Sequence, residues 1–250
     1  MRFLFSLTLL FVACSAHALT PQELDSVGRR VWQNECGGTR DGLTSWNGGE
    51  NFASLGIGHF IWYPKGAEEP FDESFPPLMK FLASSGVKVP QWLYGPCPWP
   101  SRAVFQAEFR GPRMTELRNL LANNVRLQSA FLAQRMQTAL PKMLKSVSRG
   151  DRARVETNFD RLTKTSAGTF ALIDYVNFKG EGIKETERYK GEGWGLLQVL
   201  VAMESSEPAP AVFARAAATV LERRVKNSPP ARGEARWLPG WRSRVRAYGR

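Results

Sequence analysis

An α+β fold, mainly α, is what three features of this sequence predict: several segments with apolar residues at helical spacing, one stretch of short aromatic runs punctuated by glycine and asparagine, and a length that suits one domain of two lobes. Residues 22–36 set Leu24, Val27, Val31 and Trp32 along one helical face, with Thr20 as N-cap, Pro21 in the first turn and Gly37-Gly38 as the stop. Between 41 and 63, Gly and Asn interrupt short aromatic runs, so small strands and turns are expected. Residues 64–101 carry Pro64, Pro70, Pro76, Pro77, Pro90, Pro96, Pro98 and Pro100, which predicts a packed irregular segment with at most a short helix near 78–83. The stretch 114–145 offers Leu117, Leu120, Leu121, Val125, Leu127 and Leu132 to a buried helical face and is expected to break near Pro141. A helix follows over 152–164. "TFALIDYVNFK", residues 169–179, is apolar on nearly all sides, as a central buried helix is. Residues 191–203 and 212–226 supply two more helices. With 43% hydrophobic residues the chain can bury a real core.

The N-terminus reads as an export signal. Met1-Arg2 precedes an apolar run from Phe3 to Ala13 and the small-x-small pattern Ala16-His17-Ala18, so residues 1–18 are expected to be removed, leaving a domain of 19–250. The apolar run is well short of the roughly 20 residues that span a bilayer, and no transmembrane segment is expected after cleavage. The expected location is periplasmic or secreted, with lipoprotein anchoring through Cys14 as the minor alternative. Two cysteines then remain, Cys36 and Cys97, in a compartment that permits disulfides; they either bridge or stay as two buried thiols. Losing His17 leaves His59 as the single histidine. That count excludes a His-rich metal site, and no metal or organic cofactor is expected. The net charge of +11 falls to +10 with Arg2 removed, and a basic exported protein expects a polyanionic partner: wall polymer, lipid headgroups or nucleic acid.

The chemistry concentrates in "NECGGTRDGLTSWNGGENFASLGIGHFIWYP", residues 34–64. Glu35 falls in the last turn of the first helix, where the helix dipole disfavours a charged carboxylate, and the glycines after it let a substrate approach. Glu35, Glu50, Ser54 and Gly56-Ile57-Gly58-His59 follow in an order that resembles the lysozyme-like superfamily, most closely the phage-type lysozymes. That family carries a catalytic Glu near the end of its first helix, then a β-hairpin with a second carboxylate and a hydroxyl residue, then Gly-Ile-Gly-His. "ALIDYVNFKGEG", residues 171–182, is similar to its central helix, and "RRVKNSPPARGEARWLPGWRSRVRAY", a stretch rich in Arg and Trp, to its C-terminal pattern. The resemblance implies a two-lobed fold, with a cleft lobe over about 30–105 and a helical lobe over about 112–250 around the central helix. It implies cleavage of the β-1,4 bond between N-acetylmuramic acid and N-acetylglucosamine in peptidoglycan, with Glu35 as general acid, Ser54 holding the attacking water, and His59 fixing the hairpin.

The sequence departs from the family between these points. Counted back from Ser54, the family's Asp or Cys position is Gly48; Glu50 is the nearest carboxylate and Asp41 a poorer candidate. Hydrolysis needs a second group to activate water, whereas lytic transglycosylases of the same superfamily work with one Glu, so both reactions stay open. A non-catalytic wall-binding module on the same scaffold is the rival from another class. A chitosanase is disfavoured, because its cationic substrate would be repelled. Asn177, Lys179, Arg188, Tyr189, Glu192, Trp194 and Gln198 are candidates for a second cleft wall, with core packing as the alternative for Tyr189 and Trp194. The aromatics among the prolines, Phe71, Phe75, Phe81, Trp92, Tyr94 and Trp99, suit either a groove for sugar rings or a lobe core. Asp174, inside the apolar run, requires a partner if buried, and an arginine is one candidate. From Leu221 to Arg250, nine Arg or Lys stand against two Glu, interleaved with Trp237, Trp241 and Tyr248. Export makes wall polymer or an outer-membrane surface a better partner for that patch than nucleic acid, with a solvated basic face as the default reading, and no nucleic acid is expected.

Overall fold

The computed structural model describes residues 19–67, 71–204 and 207–250. The expected signal peptide, its cleavage site and Cys14 lie outside the described residues. The fold is α+β and mainly α, 65% helical with a small antiparallel sheet. No helix among the described residues is long and apolar enough to cross a membrane.

The first helix, α1 (Pro21–Cys36), starts where its sequence dictates. Thr20 accepts from the Glu23 amide while the Glu23 carboxylate accepts from the Thr20 amide, a reciprocal cap, and Gly37 ends the helix at φ 62°. The chain then forms β1 (Thr44–Ser45), β2 (Ala53–Leu55) and β3 (Phe60–Trp62), paired antiparallel in that order, with Ser45 opposite Ser54 and Ser54 opposite Ile61.

The turn between β2 and β3 is anchored from outside the sheet. Gln128, fully buried, accepts from the Ile57 amide at 3.0 Å and donates to the Leu121 carbonyl at 2.7 Å and the Asn124 carbonyl at 3.2 Å. Gly56 has φ 67°, and a Cβ there would sit 2.4 Å from the Gln128 amide oxygen, so both backbone angle and space require glycine.

Helix α2 (Phe75–Ser84) is longer than the proline content suggests. Pro76 and Pro77 fall in its first turn, where the missing amide hydrogens have no helical acceptor anyway. Trp62, Phe75, Trp92 and Trp99 pack ring to ring beneath it, so most of this segment's aromatics are lobe core. After α3 (Arg102–Ala107) come α4 (Pro112–Asn123) and the long α5 (Val125–Ser146). Pro141 does not break α5, contrary to the sequence expectation. Pro141 and Gln137, whose carbonyl it cannot serve, are both exposed, so water takes the freed acceptor while Met136, Ala139 and Met143 hold the opposite face in the core. Helix α5 packs on α1 and α2, and further along on α6 (Arg152–Thr163) and α7 (Ser166–Lys179), so it runs through both lobes. Its approach to α1 is close: a Cβ on Gly28 would lie 2.5 Å from Ser129 Oγ.

Helix α7 is the buried axis of the second lobe, with every residue from Gly168 to Val176 out of solvent. It begins three residues before the apolar run because Thr165 caps the Gly168 amide at 3.0 Å. The expected helix over 191–203 is shorter. Lys190 and Gly191, both at positive φ, make a two-residue turn between β4 (Arg188–Tyr189) and β5 (Glu192–Gly193), and α8 (Leu196–Ala202) starts only afterwards. Helices α9 (Ala209–Asn227) and α10 (Leu238–Arg246) close the lobe against α7.

The structure keeps Cys36 and Cys97 as free buried thiols, which corrects the disulfide alternative. Cys36 donates to the Gly56 carbonyl at 3.4 Å, whereas Cys97 sits beside Pro64 and bonds its amide to the Tyr63 carbonyl. Each is thus committed to a different strand connection, and burial pushes both thiols up to about 12.

Gln128→Leu tests the anchored turn. The substitution strands the buried Ile57 amide, while the Leu121 and Asn124 carbonyls keep their backbone donors, so unfolding in urea is expected to show a loss of about 1–3 kcal/mol. A variant as stable as the parent would show that the turn holds itself.

Candidate functional site

One cleft of about 280 Å³ separates the sheet from α7. Its walls are Glu35 from the end of α1; Asn47, Glu50, Phe52 and Ser54 from the hairpin; Gly58, His59 and Ile61 beyond the turn; Phe71; and Asn177 with Phe178 from α7. Glu35, Glu50, Ser54, His59 and Asn177, five of the residues singled out in the sequence, therefore meet at one place.

The Glu35 carboxylate is held on both oxygens. Oε1 accepts from Arg244 at 2.5 Å and from Asn177 Nδ2 at 3.3 Å, and Oε2 lies 3.5 Å from His59 Nδ1. His59 is at φ 49°, a conformation that turns the chain back into β3 and leaves its ring over the cleft. Burial lowers the His59 pKa, and Arg244 adds to this against the opposing pull of Glu35, so the ring is neutral around pH 7.

Arg244 was not anticipated as a site residue. Its guanidinium makes a two-pronged contact with Asp174, Nε to Oδ2 and Nη2 to Oδ1, both at 2.8 Å, and the same Nη2 reaches Glu35. Tyr248 donates to Asp174 Oδ2 at 2.5 Å and Asn34 to Oδ1 at 3.4 Å. Asp174 is fully buried, so the arginine partner expected for it is present. Burial opposes the charge on Arg244, but Asp174 and Glu35 more than reverse this and hold it protonated. The sequence signal was there in part: a lone Asp in an apolar helix demands a cation, although nine basic residues near the C-terminus competed for the assignment.

Glu50 faces the cleft from the hairpin. Its Oε2 accepts from Asn47 Nδ2 at 3.1 Å, and burial raises its pKa against the Asn47 hydrogen bonds. Ser54, 4% exposed, lines the cleft from β2. Asp41, the other carboxylate considered, belongs elsewhere: it pairs with Arg110 at 2.9 Å and lies 3.5 Å from buried Arg118.

The expected second wall is only partly formed from the residues named for it. Lys179 lies behind Phe178 and does not line the cleft, its Nζ 3.8 Å from the Phe178 ring and 3.6 Å from that of Trp241. Arg188, Tyr189, Glu192, Trp194 and Gln198 are structural. Arg188 closes its own turn on the Gly191 carbonyl, and Glu192 pairs with Arg223. Tyr189 donates to buried Glu234 at 2.8 Å and stacks on Trp194, whose carbonyl accepts from Tyr175. Gln198 bridges the Gly195 amide and the Gly182 carbonyl. These residues share glycine-flanked polarity with a binding loop, but that same composition builds a tight hairpin. Phe52, Phe71 and Phe178 supply the apolar lining instead; among them Phe71 is 54% exposed. Among the described residues, no group of three or more His, Cys, Asp or Glu side chains comes together as a metal site would.

Two substitutions probe this arrangement. Arg244→Met leaves Asp174 buried without its counterion, so it is expected to cost about 3–5 kcal/mol in chemical denaturation, and a loss below about 1 kcal/mol would contradict the pairing. Burial, with Arg224 and Arg244 nearby, depresses the Lys179 pKa from 10.5 to about 6 against the pull of Glu234 and Glu35. Between those values the unfolded chain binds a proton that the folded chain does not, so this residue's contribution makes stability rise with pH across the window. Thermal melts of Lys179→Met against the parent should show the slope flattened; parallel curves would mean that the ammonium stays charged between its rings.

No protein-family model, curated protein or solved structure matches this chain.

Proposed function

We propose that this protein is an exported, peptidoglycan-cleaving glycosidase of the muramidase type, with the arrangement of a phage-type lysozyme. The observation that carries the reading is the convergence of two carboxylates, Glu35 and Glu50, with Ser54, His59 and Asn177 on one cleft lined by phenylalanines. A glycosidic bond breaks when its leaving oxygen is protonated on one side and water is activated on the other. Glu35 would protonate the oxygen between N-acetylmuramic acid and N-acetylglucosamine, with Arg244 and Asn177 fixing its orientation. Glu50 would take the proton from a water held at Ser54. Phe52, Phe71 and Phe178 offer apolar surfaces to pyranose rings, and Asn177 offers hydrogen bonds. The reaction needs no metal or organic cofactor. The signal read at residues 1–18 would deliver the chain to the periplasm or outside the cell.

One observation favours the reverse assignment of roles. Arg244 ion-pairs Glu35, whereas burial raises the Glu50 pKa, and the carboxyl kept protonated is ordinarily the acid. Glu50 would then be the donor and Glu35 the charged partner. Aryl glycosides with a good leaving group need no protonation, so they separate the roles: the variant that lacks the acid keeps activity on them, and the variant that lacks the base does not.

The first experiment is mass spectrometry of purified peptidoglycan digested with the mature protein, with Glu35→Gln and Glu50→Gln alongside. Reducing-end muropeptides are expected from the parent and none from Glu35→Gln, which should keep its stability within about 1 kcal/mol because its amide can still accept from Arg244. Glu50→Gln is expected to lose at least about 100-fold, the usual scale of a general acid-base group. Anhydro products would convert the reading to a lytic transglycosylase working with Glu35 alone, and full activity of Glu35→Gln would end it. Binding without any product would make the chain a wall-binding module.

A further inference from the structure

Phe178, in the cleft wall, is the first ring of a series that leads out of the cleft. Trp241 meets it edge-on with centroids 6.4 Å apart, and Trp237 lies 6.0 Å beyond Trp241 with the two indoles tilted by 35°. Trp237 is 41% exposed. An exposed aromatic on its own needs no explanation, and Tyr94, 42% exposed on the other lobe, is such a case. Trp237 differs in being contiguous with the cleft and firmly based. It closes the short turn Glu234–Trp237, whose first residue is 1% exposed and accepts two hydrogen bonds from Arg224 and one from Tyr189, each of 2.8 Å. The Arg236 guanidinium accompanies the outer ring, 4.6 Å from Trp237, whereas Lys179 Nζ covers the inner one, 3.6 Å from Trp241.

We propose that the ring series from Phe178 through Trp241 to Trp237 is a track whose exposed end, Trp237, stacks on the glycan strand beyond the bond being cut, with Arg236 meeting the carboxylates of its acidic substituents. Pyranose rings present apolar C–H faces that pack flat on indoles. A preformed aromatic track gains their contact without ordering any loop. The guanidinium beside Trp237 adds a preference for an acidic polymer over a neutral one. This inference rests on the proposed glycan-cleaving activity for its ligand class, and it assigns the substrate's path outside the catalytic cleft to named residues.

Trp237→Ala and Trp237→Phe test it, in the parent for turnover and in Glu35→Gln for binding without cleavage. Co-sedimentation with insoluble peptidoglycan and indole fluorescence titrated with soluble glycan fragments give readouts independent of activity. Trp237→Ala is expected to weaken retention about three- to tenfold, the effect of one aromatic contact. KM on long strands should rise by a similar factor with little change in kcat, and Trp237→Phe should recover much of the loss. Unchanged retention and KM in Trp237→Ala would overturn the track while leaving a cleaving parent enzyme as evidence for the activity. If the parent cleaves nothing, the activity falls and the fluorescence titration still judges the track: quenching that depends on Trp237 sustains it, and its absence overturns it.

Discussion

The contact between Asp174 and Arg244 is the constraint on which the second lobe and the cleft both depend. A fully buried carboxylate in the middle of α7 costs several kcal/mol unless it is paired and hydrogen-bonded. Arg244, Tyr248 and Asn34 complete its shell, and in doing so they pin α10 and the C-terminal turn to the central helix and to α1. The second hydrogen on Nη2 goes to Glu35. An interaction that organises the core thus sets the position of the carboxylate at the cleft. The last thirty residues of the chain are therefore part of the site, not an appendage to it.

The opposite wall is fixed by a different means. Three strands of two or three residues are too short to hold a register alone. Gln128 reaches from α5 into the turn after β2 and supplies the amide acceptor that the turn lacks, and the crowding at Gly56 follows from that reach. Because α5 also packs on α1 and α7, the turn that carries His59 is referenced to the helices that carry Glu35 and Asn177. The two walls share one rigid element, which suits a cleft whose chemistry depends on carboxylate placement.

Within the cleft the charges are unevenly distributed. Glu35 has a guanidinium and an amide on one oxygen, while Glu50 is held by the side chain and backbone of Asn47 and by no cation among the described residues. Two carboxyl groups with such different partners suit the two separate roles that acid-base cleavage of a glycoside requires. The proposed activity draws on the two carboxylates together with the aromatic lining, and the aromatic track from α7 to the turn before α10 extends the same logic along a polymer.

Helix α1 was legible to the residue, because its cap, first-turn proline and terminal glycines are local signals. The hairpin, the buried α7 and the grouping of Glu35, Glu50, Ser54 and His59 could also be read, since they lie within 25 residues of one another or follow a single periodicity. Pro141 misled because its cost depends on whether the orphaned carbonyl meets water, which sequence does not state. The turn-rich stretch after α7 misled because glycine, tyrosine and arginine serve a hairpin as well as a binding wall. The sequence by itself determined the ends of α1, the buried character of α7 and that Asp174, once buried, must find a partner. Only the tertiary structure decided that the partner is Arg244, that it also holds Glu35, and that Trp237 stands in line with the cleft. Those contacts join residues 70 and 209 positions apart, and chain-local energetics carries no information about such pairs.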